Sequence, residues 1–441
     1  MLKKHLLILT LFFSVSLFAQ TNNWQLKNDK ELTFSTKVRR ANIPKNYKVY
    51  SLDLEKFKNQ LINAPVRGSF TGRSSHEIFL PNADGKTERY YVMETPIMEQ
   101  ELADKFPMIK SYAAQGIDDP TAIARFSVTQ FGLHSMTFSS GNSAVFIDPY
   151  TEDRQNYIVY KRTDLERGNA DFECLTDEGV HLPSLETDRN ANPINAINTD
   201  DSTLRTYKLA QSCTAEYGNI FAGSGTTAQQ KANIQAQMAI TMTRVNGIYE
   251  IDLGITMVFV ANNDLIIYLG STTSDPWSNE WNTKTAQTID SVIGVNNYDI
   301  GHNFNTTGGG NAGCLACVCK STSQSNTHKG RGYTGRSNPT GDPFDIDYVA
   351  HEMGHQFGGY HTQSSSDCRS GSGATEVEPG SASTIMGYAG ICDTNVQGNS
   401  DAYFAYVNIR DISNYIKTTA GSCSTNVSFS NQAPTVSAGP D

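Results

Sequence analysis

Three histidines, one glutamate and one glycine stand at fixed offsets where the chain reads His-Glu-Met-Gly-His-Gln-Phe-Gly-Gly-Tyr-His, from His351 to His361. His351 and His355 are four residues apart, so on a helix they project from one face and can share a metal ion. Glu352 follows the first ligand, where it can hold a water molecule. Gly358 marks the point at which the helix must end and turn, and His361 then returns as a third ligand. Three neutral imidazoles leave a fourth zinc position open, which is typical of catalytic sites.

Histidine is rare in the rest of the chain, since three of its nine histidines fall within this motif. The alternative interpretation is a helix with histidines placed by chance. That interpretation does not account for the glutamate, the glycine and the third histidine at the positions that a metal site requires. The pattern therefore favours a catalytic zinc site.

The composition is ordinary for a globular protein, with 38% hydrophobic and 18% charged residues in a chain of 441. Such a length corresponds to about three domains. The net charge of −10 argues against nucleic acid or an anionic membrane as a partner, because both favour a basic surface. Beyond the first 20 residues, no apolar run approaches the roughly 18 residues that a membrane span needs.

The first 19 residues resemble a signal peptide. Residues 3–5 form a basic start, residues 6–18 form an apolar run, and Ala19 suits the position before cleavage. The run is too short and too close to the terminus to favour a membrane anchor. We therefore expect a secreted protein, extracellular or at the cell surface, that meets an oxidising environment.

The cysteines suit such an environment. Cys314, Cys317 and Cys319 lie close together, but their C-x-x-C pair has no matching second pair, which favours disulfides over a second metal site. Cys368 and Cys392 bracket the loop after the histidine motif and form the first bridge that we predict. The other pairings stay open.

Residues 20–200 form a β-rich region that ends in a linker. Short runs of alternating residues, such as 88–94 and 133–138, indicate strands, and Met98 to Ala114 is the one expected helix. Between residues 171 and 201 the chain is rich in Asp, Asn, Glu and Pro, as linkers are.

Residues 203–425 combine helices and strands, which predicts an α/β (α+β) domain with a twisted mixed sheet. Apolar residues at helical spacing predict a long amphipathic helix over Ala228–Tyr249 and a closing helix over Ala402–Thr418. The motif lies on a helix of its own, for which Asp342 or Asp345 is the expected cap.

Two short segments before the motif helix have competing interpretations. The glycine run at residues 308–310 opens no helix, so we expect a flexible loop rather than a phosphate-binding loop. A strand near Leu315 and Ala316 either pairs with an extended substrate backbone or is an ordinary edge strand.

The motif is that of a known family. His351, Glu352, His355, Gly358 and His361 match the extended zinc signature of the metzincin metallopeptidases. The segment from 203 to 423 as a whole is most similar to the reprolysin-like group of secreted bacterial peptidases. Residues 21–200 then resemble the pro-domain of such an enzyme.

The turn around Met386 supports the resemblance. The stretch Thr384–Tyr388 resembles the methionine turn that lies beneath the metal in metzincins, and Met386 stands 25 residues after His361. Tyr388 follows that methionine by two residues, as in astacins and serralysins. Thr362 departs from the pattern, because true reprolysins usually have aspartate directly after the third histidine. The subfamily therefore stays open.

The resemblance implies a zinc endopeptidase that hydrolyses peptide bonds of protein or peptide substrates. His351, His355 and His361 bind Zn²⁺, whose bound water has its pKa lowered to about 7. Glu352 acts as general base and returns the proton to the leaving amine. Met386 forms a hydrophobic floor, and Tyr388 either donates a hydrogen bond to the oxyanion or is a buried aromatic residue.

Cys174 and a group of acidic residues suggest a latency switch and a calcium site, respectively. Cys174 is the only cysteine before residue 203, so its thiolate either occupies the open zinc position as a latency switch or forms a disulfide with a later cysteine. Acidic residues at 342, 345, 347, 376 and 378 raise the question of Ca²⁺, although no EF-hand spacing is present.

The last residues of the sequence have a composition of their own. Residues 431–441 resemble the start of an immunoglobulin-like (PKD-type) domain, which we expect to be truncated here and to contact the cell surface or the export system. The oligomeric state is not specified. A binding protein on an inactive metzincin scaffold is the competing class, but it predicts loss of Glu352 or of a ligand, and all are present.

Overall fold

The computed structural model describes residues 22–32, 35–40, 42–165, 172–177, 201–321, 327–365, 367–368 and 375–429. The expected signal peptide, most of the expected linker and the expected C-terminal domain start lie outside these residues. We call residues 22–165 the N-terminal region, residues 172–177 the site segment, and residues 201–429 the C-terminal region.

The N-terminal region is built on one antiparallel sheet of nine strands in the order β1-β2-β9-β8-β7-β6-β5-β4-β3. The strands are β1 Trp24–Lys27, β2 Lys48–Leu52, β3 Glu77–Pro81, β4 Thr87–Glu94, β5 Lys110–Gly116, β6 Ile123–Thr129, β7 Gly132–Phe138, β8 Val145–Pro149 and β9 Asn156–Lys161. The sheet is nearly closed, since the indole of Trp24 on β1 donates to the carbonyl of Phe79 on β3 at 2.8 Å. The expected β-rich character is confirmed.

Two short helices accompany this sheet, α1 at Leu54–Leu61 and α2 at Gln100–Lys105. Phe57 and Leu61 of α1 are buried in the apolar interior that the sheet encloses. The expected helix from Met98 to Ala114 is wrong beyond Lys105. Residues 110–116 instead form β5, because Tyr112, Ala113 and Ala114 are buried in a central strand of the sheet.

The C-terminal region contains a mixed sheet with helices on it. Its strands are β10 Thr203–Cys213, β11 Ile255–Phe259, β12 Ile300–Asn305, β13 Gly309–Asn311, β14 Gly332–Gly335 and β15 Thr425–Ser428. The strand order is β11-β10-β12-β14-β13, with β15 paired to β10, and β13 and β15 are the antiparallel members. The expected mixed sheet is therefore confirmed.

Five helices and a π-helix complete this region. They are α3 Ala215–Ala222, α4 Thr227–Leu253, α5 Trp281–Val292, the π-helix Pro343–Ala350, α6 His351–Gln356 and α7 Tyr406–Lys417. The π-helix runs directly into α6, which carries the first two histidines. None of the helices within the described ranges is both long enough and apolar enough to cross a membrane.

Helix α4 lies at the centre of the molecule. It begins at a capping box in which the Thr226 side chain and Gln229 bond each other's backbone N–H groups, and it ends at Gly254 in the left-handed conformation. The expected amphipathic pattern is wrong for most of its length, because residues 234–249 are buried on every face. One side packs on the C-terminal sheet and the other packs on the N-terminal sheet, so both faces lie in a core.

Buried ion pairs join the two regions. Arg162, which follows β9, donates to Asp342 at 2.8 Å and to Asp347 at 2.5 Å. Arg244 of α4 pairs with Asp148 of the N-terminal sheet and with Asp345 of the π-helix. Because unpaired charges are costly inside a protein, these pairs fix how the N-terminal sheet sits against the helix that carries the motif.

The N-terminal chain also covers both edges of the C-terminal sheet. At one edge, the Phe259 N–H of β11 donates to the carbonyl of Ile97 at 2.9 Å, and the Glu99 N–H donates to the carbonyl of Phe259 at 2.9 Å. At the other edge, the site segment pairs with β13 at Gly310. Residues 97–99 therefore cover the outer edge of β11, and the site segment covers that of β13.

Candidate metal centre

The three motif histidines converge on one point. His351 and His355 are one turn apart on α6, which ends at Gln356, and Gly358 turns the chain with φ of 99°. That left-handed conformation suits glycine, and it returns His361 to the same face. Each pair of the three Nε2 atoms is 3.2 Å apart, and all three side chains are buried.

The outer nitrogens of two of these rings are held by backbone carbonyls. His351 Nδ1 lies 2.7 Å from the carbonyl oxygen of Ile385, and His355 Nδ1 lies 2.7 Å from that of Gly359. Since a carbonyl only accepts, each Nδ1 carries the proton and each Nε2 presents its lone pair to the centre.

This donor set fits zinc. Zn–N bonds of about 2.0–2.1 Å in a tetrahedron place the ligand nitrogens about 3.3 Å apart, close to the 3.2 Å that separates them here. Second-shell carbonyls that fix the ring orientation are the usual support of such ligands. The structure thus brings together the three histidines that the spacing predicts as ligands.

Cys174 of the site segment is the fourth residue at this centre. The Sγ atom lies 3.5 Å from His355 Nε2, and the ligand atoms of the four residues all lie within 4.8 Å of one another. Cys174 forms no disulfide, so that alternative from the sequence is wrong. Burial and the neighbouring Glu352 carboxylate raise the pKa of the Cys174 thiol, so a thiolate at this point requires a cation beside it.

Glu352 lies buried between the helix and the edge strand. Its Oε2 accepts a hydrogen bond from the Thr176 hydroxyl at 3.0 Å. Burial raises the pKa of Glu352 to about 8, and the hydrogen bonds from Cys174 and Thr176 act in the opposite direction. Gly310 leaves room for the carboxylate, since a Cβ atom there would lie 2.5 Å from Glu352 Cγ.

The site segment lies along β13 as an added strand. The Gly310 N–H donates to the carbonyl of Glu173 at 3.0 Å, and the Leu175 N–H donates to the carbonyl of Gly310 at 2.8 Å. The pairing is parallel. The flexible loop expected at residues 308–310 is therefore wrong at Gly309 and Gly310, where pairing with β14 outweighs the low strand propensity of glycine.

The expected strand at Leu315 and Ala316 is also wrong, because these residues lie in a loop. The Ala316 N–H donates to the carbonyl of His355 at 3.0 Å, at the end of α6. Cys317 is tied to Cys314, so the loop is closed by a disulfide and not extended. The strand at this end of the sheet is β13.

The turn around Met386 lies beside the motif histidines. The Thr362 N–H donates to the carbonyl of Met386 at 3.2 Å, and the Met386 side chain is fully buried. The ring of Tyr388 stands edge-on to His361, with ring centres 4.7 Å apart. Tyr388 therefore packs against a motif histidine, and Met386 is bonded through its backbone to the residue that follows His361.

Thr362 is connected to the same turn through Glu378. Its hydroxyl donates to Glu378 Oε2 at 2.6 Å, while Glu378 Oε1 accepts from the N–H groups of Ser383 and Thr384 at 3.1 and 3.2 Å. Thr362, which departs from the reprolysin pattern, is therefore connected to the turn around Met386 through the carboxylate of Glu378. Sequence reasoning missed this role of Glu378, which no local spacing reveals.

The acidic residues considered for calcium have other partners. Asp342 and Asp347 bind Arg162, and Asp345 binds Arg244 at 3.0 Å and the Thr241 hydroxyl at 2.7 Å. Neither Asp342 nor Asp345 caps the motif helix with its side chain, so that expectation is wrong. Arginines that are distant in sequence satisfy these carboxylates, and calcium gains no support.

Three disulfides stabilise the C-terminal region. They are Cys314–Cys317, Cys319–Cys423 and Cys368–Cys392. The predicted bridge between Cys368 and Cys392 is confirmed, and so is the preference for disulfides over a second metal site in the cysteine cluster.

Thr176 and Phe172 are functional candidates that sequence reasoning missed. Both face the metal centre with Cys174, because side chains two residues apart in an extended chain share one face. That alternation, read outward from Cys174, was the signal that could have found them. The Ala312 N–H donates to the Thr176 hydroxyl at 2.9 Å, which holds the segment above Glu352.

The sequence is similar to a known family. Residues 203–417 match the model of the metallo-peptidase family M12B, described as reprolysin-like. No curated protein matches the chain.

Proposed function

We propose that this chain is a secreted zinc endopeptidase made as a latent zymogen. Its domain at residues 203–417 belongs to the reprolysin-like metallopeptidases of family M12B. The observation that carries the proposal is the convergence of three histidine Nε2 atoms with Cys174 Sγ. Three histidines supply the permanent ligand set, and the thiol belongs to a segment that precedes the domain.

The residues of the centre have distinct roles in hydrolysis. Zinc, when bound by His351, His355 and His361, supplies Lewis-acid activation of water and of the scissile carbonyl. Glu352 accepts the proton of the attacking water and passes it to the leaving amine. Its burial supports this role, because a carboxylate with a raised pKa can hold a proton near neutral pH.

Tyr388 has two alternative roles. Its ring lies beside His361, close enough for the hydroxyl to approach a substrate oxyanion. Alternatively, the ring only packs against the ligand. Tyr388→Phe distinguishes them, since it removes the hydroxyl and keeps the ring: kcat falls if the hydroxyl is an oxyanion donor and stays unchanged if the ring only packs.

Latency follows from what the site segment covers. Cys174 occupies the position that a catalytic zinc site leaves open, Thr176 binds the general base, and the backbone occupies the edge strand that a substrate would use. A substrate cannot enter until this segment leaves. The N-terminal region, docked by buried ion pairs, is then the pro-domain that holds the segment in place.

Secretion is supported by two observations. Three disulfides form in the C-terminal region, and structural disulfides persist mainly in oxidising compartments. The basic and apolar start of the sequence agrees with export.

The decisive test is Glu352→Ala in the processed enzyme. Zinc content, measured by atomic absorption, should remain at one per chain, while cleavage of casein or gelatin should fall by several orders of magnitude. Glu280→Ala is the matched control, because Glu280 is exposed and its side chain caps no helix. If the wild-type processed protein holds one zinc and cleaves no peptide in a broad library, the proposed activity is wrong.

A further inference from the structure

The site segment shows which side chains the groove beside the metal centre accepts. Phe172, Cys174 and Thr176 face the protein, while Leu175 between them points outward and is 47% exposed. Cys174 reaches the histidines and Thr176 reaches Glu352. Phe172 therefore occupies the next position along the groove, two residues from the one at the metal.

The position of Phe172 is a flat aromatic slot. Its ring lies parallel to that of Tyr348, with centres 4.0 Å apart and planes within 6°. The ring centre of His351 is 6.0 Å from that of Phe172, with the two planes at 81°. The guanidinium of Arg336 lies 5.1 Å from the centre of the Tyr348 ring. Phe172 and Tyr348 are only 7% and 5% exposed.

We propose that Tyr348 and Arg336 form a substrate subsite for an aromatic side chain, which Phe172 fills in the latent protein. This inference rests on the proposed peptidase function. When the site segment leaves, Tyr348 presents the face of its ring to the groove. A phenylalanine, tyrosine or tryptophan of the substrate can stack on it, and aromatic pairs contribute beyond the burial of apolar area.

Arg336 fixes the orientation of this slot. It is 7% exposed and lies over the Tyr348 ring, where a cation is attracted to the aromatic face. Because the Tyr348 ring is held in place by the guanidinium of Arg336, it offers substrates a flat surface of fixed orientation. Aliphatic side chains such as leucine fill the space without the stacking geometry and bind less well.

The first experiment is a cleavage profile of the zinc-loaded, processed enzyme. Peptides carry Phe, Leu or Ala in turn at each position within two residues of the cleaved bond. At one position, we expect Phe to exceed Leu by about tenfold in kcat/KM, since stacking adds to a pocket's ordinary discrimination. Equal values for Phe and Leu at every position would overturn the proposal.

Variants of Tyr348 assign the preference to this ring. Tyr348→Phe keeps the stacking surface and should retain the Phe-to-Leu ratio, whereas Tyr348→Leu should reduce that ratio to about one. Tyr403→Leu is the matched control, because it makes the same substitution at a tyrosine that lies elsewhere and is 48% exposed. A ratio that survives in Tyr348→Leu would show that another pocket selects the aromatic residue.

A binding measurement separates this inference from the proposed activity. Labelled peptides of sequence 172–177, with and without Phe172→Ala, are titrated into the processed wild-type enzyme and into Tyr348→Leu by fluorescence anisotropy. We expect Phe172→Ala to weaken binding about tenfold in the wild type and hardly at all in Tyr348→Leu. Equal losses in both proteins would refute the subsite, whether or not the enzyme cleaves any peptide.

Discussion

Replacing Arg162 by methionine tests the ion pairs that hold the two regions together. The guanidinium donates to Asp342 at 2.8 Å, to Asp347 at 2.5 Å and to the carbonyl of Ser400 at 2.5 Å. The side chains of Arg162 and Asp342 are 4% and 2% exposed. Removing one member of a buried pair costs about 3–5 kcal/mol, because the partner charge stays buried without compensation. We expect the full-length protein to lose free energy of unfolding in this range at pH 8.

The matched control is Arg89→Met. Arg89 likewise pairs with a carboxylate, and two of its nitrogens lie 2.7 and 3.0 Å from Asp118 Oδ1. However, the side chains of Arg89 and Asp118 are 46% and 38% exposed. Solvent screens such pairs, so this variant should be indistinguishable from the wild type. Urea titration followed by circular dichroism measures the free energy of unfolding of both variants. Because both remove an arginine from an ion pair with aspartate, the difference between them reports the effect of burial.

A triple variant tests whether the loss comes from unpaired charge. Arg162→Met with Asp342→Asn and Asp347→Asn leaves no buried carboxylate without a partner, so it should recover at least half of the lost stability. The reasoning is refuted if Arg162→Met is as mild as Arg89→Met, or if the triple variant is no more stable than the single one.

Three further predictions concern single residues. Cys174→Ser removes the thiol that holds the site segment at the histidines, so the segment should leave the centre at times and the full-length protein should cleave a fluorogenic peptide before processing. Cys213→Ser, at a buried free thiol elsewhere, should stay latent, and a latent Cys174→Ser protein would exclude the switch. Burial raises the pKa of Asp252 to about 7, so the folded protein loses stability as the pH rises from about 4 through 7. Asp252→Asn should therefore be more stable than the wild type by about 2–4 kcal/mol at pH 9, and urea titration should show the gap closing toward pH 4. Gly310→Ala places a Cβ atom 2.5 Å from Glu352 Cγ and should lower kcat about 100-fold with zinc content unchanged; full activity would show that the carboxylate does not need this position.

The parts of the site that the sequence predicts are those set by local spacing. His351 and His355 share a helix face because of the helical period, and Gly358 turns the chain because φ of 99° suits glycine. Cys368 and Cys392 are close enough in sequence that a single loop brings them together. In each case the geometry follows from a few consecutive residues.

The rest of the site depends on contacts between distant segments. Cys174 meets His355 across 181 positions of sequence, and no periodicity encodes that approach. Gly309 and Gly310 of the glycine run have low strand propensity and join a strand only because β14 and the site segment pair with them. In the sequence, Asp342 and Asp345 resemble helix caps. In the structure, they pair instead with Arg162 and Arg244, which lie on other elements.

In the proposed zymogen, latency depends on two contacts: the site segment at the metal centre and the docking of the N-terminal region on the C-terminal region. The site segment is short, but its covalent link to the docked N-terminal region gives it a high effective concentration at the metal centre, of the order of millimolar for short linkers. Modest affinity is therefore enough to exclude substrate. The buried pairs of Arg162 and Arg244, together with the strand contact of residues 97–99 on β11, supply the docking that maintains this concentration.

The order of these segments in the chain determines what a proteolytic cut achieves. A cut between residues 178 and 200 separates the two regions but leaves the site segment attached to the N-terminal region. Because that region is still docked by buried ion pairs, the cut protein should remain latent until the region dissociates. Arg162→Met weakens the docking without touching the metal centre, so after the same cut it should gain peptidase activity faster than the wild type, whereas Arg89→Met should not.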